Sequence, residues 1–240
     1  MSKIDLYRGD CLEVMDRLIE DGVKVDSIIT DPPYGTTACK WDSIIPFDEM
    51  WKRLNKLIKP NGAIVLFGSE PFSSALRMSN IKNYKYDWVW HKKTSANVAL
   101  AKYQPLKTHE IISVFGRTYI PQMTKGKMRM KGGKVQGGKA NGSLKPVYYK
   151  NDLYFPKSVL DIKTERGYHP TQKPVALMEY LIKTYTKEGE LVLDFTMGSG
   201  STLVACKNLN RNGIGIELDD KYFDIAEDRI NAPVIGDWFE

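Results

Sequence analysis

Three short stretches of this 240-residue chain carry residue types that could do chemistry. The first is Asp31-Pro32-Pro33-Tyr34, where an apolar run ends on an acid, two rings that fix φ, and a phenol. Paired prolines also make ordinary turns, so the stretch alone is either a strand breaker or a rigid platform. The second is Asp194-Phe195-Thr196-Met197-Gly198-Ser199-Gly200-Ser201-Thr202, a glycine loop between a buried-type strand and a helix start. Without Cβ atoms, Gly198 and Gly200 let the chain turn tightly and let a ligand lie against backbone. The third is Glu217, at the end of the next strand and roughly 20 residues after the loop, the spacing at which a carboxylate meets ribose hydroxyls.

The loop lacks the features of two better-known ligand loops. A phosphate-cradling loop needs a lysine after the last glycine, and Ser201 stands there. The dinucleotide fingerprint needs a third glycine where Leu203 stands. Either the loop is a structural turn, or it takes an adenosine-bearing ligand without phosphate. S-adenosylmethionine meets that description.

These residues need a scaffold, and apolar periodicity supplies one. Short strands are expected over 3–8, 25–30, 63–68, 86–92, 109–117, 191–195 and 213–218. Helical patterns run from Leu12 to Ile19, from Phe47 to Leu57, from Glu70-Pro71 through Phe72 and Leu76, from Pro174 to Gly189, over Val204–Leu209, and from Lys221 to Ile230. Pro60-Asn61-Gly62 reads as a stop after the second helix. Alternating strands and helices imply a mainly parallel sheet covered on both faces. Between 118 and 150 periodicity disappears, so that stretch is a mobile loop or orders on a partner.

Composition bounds the rest. No apolar run approaches the roughly 20 residues of a membrane span, and the first residues do not read as a secretory signal. Cys11, Cys39 and Cys206 are widely spaced, form no metal pattern or disulfide framework, and suit a reduced cytoplasmic setting. The net charge of +6 is unevenly spread: residues 88–151 hold thirteen Lys and Arg against one acid, Glu110, so this window carries +12 and the remainder −6. Trp88, Trp90, Tyr103, Tyr119, Tyr148 and Tyr149 lie among these cations. That mixture suits a phosphate backbone and exposed bases, where a plain solvated loop is the alternative.

Taken together, DPPY at 31–34, DFTMGSGST at 194–202, GIE at 215–217 and HPTQKP at 169–174 resemble the amino-methylating DNA methyltransferases. The order, with DPPY early and the glycine loop late, resembles their beta group and covers the chain except about 118–160. The resemblance implies an α/β, circularly permuted Rossmann-like, S-adenosylmethionine-dependent methyltransferase fold, with an antiparallel edge pair from 86–91 and 110–115. It also implies a catalytic domain in two parts, 1–117 and 161–240, with a basic target-recognition segment at 118–160 between them.

By the same resemblance, Asp31, Pro32, Pro33 and Tyr34 are the catalytic residues. The cofactor would be held by Asp10, Cys11, Asp31, Thr171, Lys173, Asp194, Phe195, Gly198, Ser199, Gly200, Ser201, Thr202 and Glu217. Asp10 would meet the adenine ring, or only cap a helix. Thr171 and Lys173 would close the methionine side, or Lys173 would be solvated. Many relatives have Asp-Pro-Phe before the loop; here Phe195 precedes Thr196, which can turn the aromatic to another face. Lys92, Lys93, Lys125, Lys127, Arg129, Lys131, Lys134 and Lys139 would contact DNA.

The implied reaction is methyl transfer to the exocyclic N6 of a flipped-out adenine in double-stranded DNA, with Asp31 and the Pro32 carbonyl accepting from the amine and Tyr34 under the base. N4 of cytosine is the alternative within the class, although relatives with that activity more often carry Ser at the place of Asp31. An inert DNA-binding module is the alternative outside it. A homodimer and a cognate restriction endonuclease are the further partners such a family implies.

Overall fold

The computed structural model describes residues 2–35, 42–95, 97–131 and 149–232. In chain order its elements are β1 (Ile4–Arg8), α1 (Cys11–Glu20), β2 (Val25–Thr30), α2 (Phe47–Leu57), β3 (Ile58–Gly68), α3 (Phe72–Ser79), β4 (Tyr84–His91) and β5 (His109–Gly116). There follow β6 (Thr124–Lys131), β7 (Tyr149–Tyr154), β8 (Val159–Asp161), α4 (Val175–Tyr185), β9 (Leu191–Asp194), α5 (Ser201–Asn208), β10 (Asn212–Glu217) and α6 (Asp220–Asn231).

Eight strands form one sheet in the order β1-β10-β9-β2-β3-β5-β4-β8. The last strands of the chain, β9 and β10, lie between the first two, which is the permuted connectivity implied by the sequence. Pairing is parallel from β1 through β3, antiparallel on both sides of β5, and parallel again between β4 and β8. The antiparallel pair is therefore present, but β8 and not β4 is the outermost strand.

Alternation explains how this sheet is covered. Successive side chains of a strand point to opposite faces. On β3, Ile64 and Leu66 pack with α1, α2 and α3 through Met15, Leu54, Leu57 and Phe72, whereas Val65 and Phe67 pack with α4 and α5 through Leu181, Ile182 and Cys206. A smaller cluster seats α6 by Phe223, Ala226 and Ile230 against Met197 and Leu203.

Two expectations need correction. Pro60-Asn61-Gly62 does not separate helix from strand: β3 begins at Ile58 and runs through it. The register advances from Val25↔Ile58 to Ser27↔Ala63, so the Pro-Asn-Gly residues fall in a bulge, where a missing ladder N–H is tolerated. Trp88 and Trp90 are core residues, not bases' partners. They share one face of β4, are 3% and 2% exposed, and donate their indole N–H groups to Tyr185 Oη (2.6 Å) and the Ile162 carbonyl (2.8 Å). Tyr103, by contrast, is 85% exposed.

The chain divides into two compact units, Met1–Ile120 with Ser158–Glu240, and Pro121–Lys157. The second contains the antiparallel ribbon of β6 and β7, a strand pair that aperiodic sequence had hidden. Among the described residues, no helix is long and apolar enough to cross a membrane.

Candidate active site

The three chemistry-bearing stretches reach the same edge of the sheet. Asp10 follows β1, Glu217 ends β10, the glycine loop follows β9, Asp31 follows β2 and Lys92 follows β4. Because β5 runs the other way, its second residue, Glu110, lies at that edge opposite Trp90. The carboxyl edge of parallel strands is where open α/β sheets take ligands. A cavity of about 550 Å³ opens there, lined by Asp10, Asp31, Tyr34, Glu110, Lys173 and Glu217 among others. Strand order sets the layout: Asp10, Glu217 and the loop border its β1-β10-β9 side, and Asp31, Glu110 and Lys92 its β2-β5-β4 side.

On the first side, Asp10 caps α1, its Oδ1 accepting from Leu12 N (2.8 Å) and Glu13 N (3.2 Å). Cys11 opens that helix and lines the cavity, its thiol pushed up to about 12, chiefly by burial. Glu217 is clamped by backbone, Oε2 accepting from Gly198 N and Oε1 from Asp219 N, both at 2.8 Å. Each carboxylate oxygen has a second lone pair, so a fixed Glu217 can still accept from a diol.

The loop's two glycines do different jobs. Gly198 (φ +52) borders the cavity, as do Ser199, Ser201 and Thr202. Gly200 (φ +76) is the N-cap of α5, and a Cβ there would lie 2.9 Å from Ala226 Cβ on α6, so its small size serves helix packing. We expect Gly200→Ala to lose about 1–2 kcal/mol from its left-handed backbone and about 1–3 more from overpacking. Gly198→Ala, with no atom nearer than 3.9 Å, should lose only the backbone part. Paired thermal melts of the two variants test this, and equal losses would refute it.

Asp194, expected at the cofactor, lines the cavity with its side chain bonded to protein groups. It accepts from Thr30 Oγ1 (2.6 Å), Thr202 Oγ1 (2.5 Å) and Thr196 N (3.2 Å), and burial pushes its carboxyl up to about 6. Phe195 is buried in the core beneath the cavity. Thr196 follows Phe195 in the loop beside β2, and its hydroxyl donates to the Asp31 carbonyl (3.1 Å). Thr30, Thr196 and Arg229 were missed in the sequence. Arg229 donates to the Ser199 carbonyl (2.5 Å) with its guanidinium over Tyr168, holding the loop from α6.

On the second side, four charged groups and a phenol share a partly buried space. Asp31 accepts from the Tyr34 hydroxyl through Oδ1 and from Lys173 Nζ through Oδ2. Lys173 Nζ also lies 3.5 Å from Glu110 Oε2, and Lys92 Nζ pairs with Glu110 Oε1. Burial opposes charge on Lys173, yet Asp31 and Glu110 outweigh it and raise its pKa. Burial raises Asp31, with Lys173 opposing and Glu110 reinforcing, and the net shift is upward. Glu110 resists burial because Lys173 and Lys92 flank it, and it ends below its ordinary value. Tyr34 also packs its ring against Phe72, centroids 5.1 Å apart.

Lys173 is thus 7% exposed and inside the site rather than solvated. His169, of the same HPTQKP stretch, hydrogen-bonds Thr171 through Nδ1 (3.0 Å to Oγ1) and packs on Tyr222. Burial, then Lys173, pushes its pKa down to about 4, so it is neutral at pH 7.

A family model described as DNA methylase matches residues 25–228. The chain belongs to this DNA methylase family. It is 28% identical to the type II methyltransferase M.HpaI of Haemophilus parainfluenzae, over 96% of this chain and 75% of that one. It is 27% identical to the type II methyltransferase M2.DpnII of Streptococcus pneumoniae, over 96% and 91%. Among solved structures it resembles an M1.HpyAVI-SAM complex, with a TM-score of 0.67, 30% identity, and coverage of 95% and 100%. The cytosine-N4-specific PvuII methyltransferase, 18% identical with a TM-score of 0.68 and coverage of 98% and 89%, shares the fold.

The basic residues of this methylase fall into separate environments. Lys92 was expected to meet phosphate and is turned inward, its side chain 17% exposed against Glu110. Lys93 pairs with Asp161 (3.1 Å), which His91 also contacts. In the β6-β7 ribbon Lys125 and Lys127 are exposed, and Arg129 lies 3.5 Å over the Tyr154 ring. Lys131 ends β6, while Lys134 and Lys139 fall outside the described residues.

Proposed function

We propose that this methylase transfers a methyl group from S-adenosylmethionine to N6 of adenine in double-stranded DNA. The observation that carries this reading is the placement of Asp31, at the end of β2, beside the glycine loop that follows β9, in one cavity. The donor set suits the cofactor: Glu217 would hold a diol, Asp10 and Cys11 would border the adenine, and Gly198, Ser199, Ser201, Thr202 and Thr171 line the rest of the cavity. When bound, S-adenosylmethionine supplies a sulfonium methyl as electrophile.

This chain's residues then have to sharpen a poor nucleophile. The adenine amine delocalises its lone pair into the ring. Asp31 and the Pro32 carbonyl accept its two hydrogens, and Pro33 stiffens that backbone, which favours tetrahedral over planar nitrogen. These residues would hold the nitrogen against the methyl that the bound cofactor supplies, and the proton the nitrogen gives up would pass along its hydrogen bond to the Asp31 carboxylate. Tyr34, fixed by Phe72 and Asp31, supports the extruded base.

To test the reading, labelled cofactor and unmodified DNA are incubated with the protein and the DNA is digested to nucleosides. Label in N6-methyladenine is the expected result. Label in N4-methylcytosine would overturn the choice of base, and no transfer would overturn the activity. The reading includes a homodimer beside a cognate restriction endonuclease, and sedimentation at assay concentration tests the dimer.

The basic segment, Lys125, Lys127, Arg129, Lys131, Lys134 and Lys139 within it, would hold phosphates. Neutralising Lys125, Lys127, Arg129 and Lys131 should lower the slope of log affinity against log salt by roughly 0.9 per lost contact. An unchanged slope would return these cations to the solvated surface.

A further inference from the structure

The Asp31 carboxylate is already engaged where the proposed reaction needs it free. Oδ1 accepts from Tyr34 and Oδ2 from Lys173. Each oxygen keeps a second lone pair, but an N–H arriving there meets the positive Lys173 head, and Lys173 is the partner that can yield because Tyr34 is packed on Phe72. A displaced ammonium that is 7% exposed would be a buried, unpaired cation, which is costly. The structure holds one group that could receive it. Glu110 Oε2 is buried, has no hydrogen-bond partner, and lies 3.5 Å from Lys173 Nζ. That is too long for a good charge-assisted bond, and a move of less than about 1 Å would make one.

We propose that Glu110 is a positioning residue: it offers Lys173 a second seat, so that Nζ passes from Asp31 to Glu110 as the target amine binds. Lys92 completes the device. By pairing with Oε1 it anchors the Glu110 carboxylate and leaves Oε2 directed at Lys173. The quartet of Asp31, Lys173, Glu110 and Lys92 stays neutral whichever acid holds Lys173. Target entry then exchanges one hydrogen bond for another and leaves no buried charge alone. A target without the amine has nothing to offer Asp31, so Lys173 stays there. Glu110 thereby contributes to recognising the amino group without touching it.

The inference rests on the adenine reading above, and the experiment separates the two. The methylated site is first mapped by sequencing DNA modified by the wild type. Glu110→Gln keeps the shape, but Lys92 retains the amide oxygen and the NH2 faces Lys173, closing the second seat. We expect at least a tenfold slower single turnover with cofactor affinity within about twofold. In the presence of S-adenosylhomocysteine, the wild type should bind a duplex with adenine at the target more tightly than one with purine, which lacks the amine. In Glu110→Gln that ratio should fall toward one while affinity for the purine duplex is kept. Glu110→Asp preserves the charge balance, so it serves where Glu110→Gln fails to fold, and it should lower the same ratio by withdrawing the seat. An unchanged ratio, or parallel weakening of both duplexes, would overturn the proposal. Absence of transfer by the wild type would overturn the functional reading itself.

Discussion

Replacing Asp31 by alanine should lower methyl transfer by roughly 10²–10³-fold or more, the scale of losing one preorganised partner of a developing charge. Affinity for S-adenosylmethionine, by calorimetry, should change little. The two outcomes separate because the sheet separates the groups. Glu217 and Asp10 hold their geometry through backbone N–H groups on the β1-β10 side, and none of those bonds involves Asp31. Folding should survive, since Lys173 keeps Glu110 as a counter-ion. Lost cofactor binding would assign Asp31 a different job.

The same residue sets the acid limb of the rate profile. Burial raises the Asp31 pKa, Lys173 opposes and Glu110 reinforces, with an upward net. The carboxylate is the form that accepts from the amine, so activity should be lost as pH falls through a value above that of an ordinary aspartate. Asp31→Asn should show a low rate without that limb.

How much of this could be read from the chain divides along a physical line. Local patterns were legible: the apolar run of β2 stopping at Asp31, the strand-glycine-helix order around Gly198, the carboxylate ending β10. Their consequence was legible too, because parallel strands must deliver their ends to one edge. What was not legible depends on contacts between residues far apart in sequence. Glu110 looked like a stray acid in a basic window, and Lys92 like a phosphate contact; only the pairing of β4 with β5 reveals that they neutralise each other. Trp88 and Trp90 looked like bases' partners because the face that α4 covers is not written in β4 itself. The ribbon of β6 and β7 was missed because residues 124–128 are all exposed, so no buried face imposes alternation there. Gly200 was assigned to the ligand, yet its neighbour is Ala226, over twenty residues later.

Asp194 yields a stability prediction that the sequence did not suggest. Removal of its side chain in Asp194→Ala strands the Thr202 hydroxyl and the Thr196 N–H in the interior, and should cost about 2–4 kcal/mol. Its ionisation gives a sharper signature. The unfolded carboxyl titrates near 3.8 and the folded one at about 6, so between those values the folded state holds a proton that the unfolded state has lost. The group's contribution is therefore complete below about pH 4 and falls by about 3 kcal/mol as pH rises through 6. Asp194→Asn does not titrate. Its unfolding free energy, subtracted from that of the wild type across pH 4.5–7, should leave a difference that declines with rising pH. A flat difference would mean that Asp194 is solvated or differently partnered. The loss should also reach both halves of the site, because Asp194 fixes Thr196 and Thr30, and Thr196 holds the Asp31 carbonyl. A variant at Asp194 should therefore weaken cofactor binding and slow methyl transfer together, whereas Asp31→Ala affects only the second.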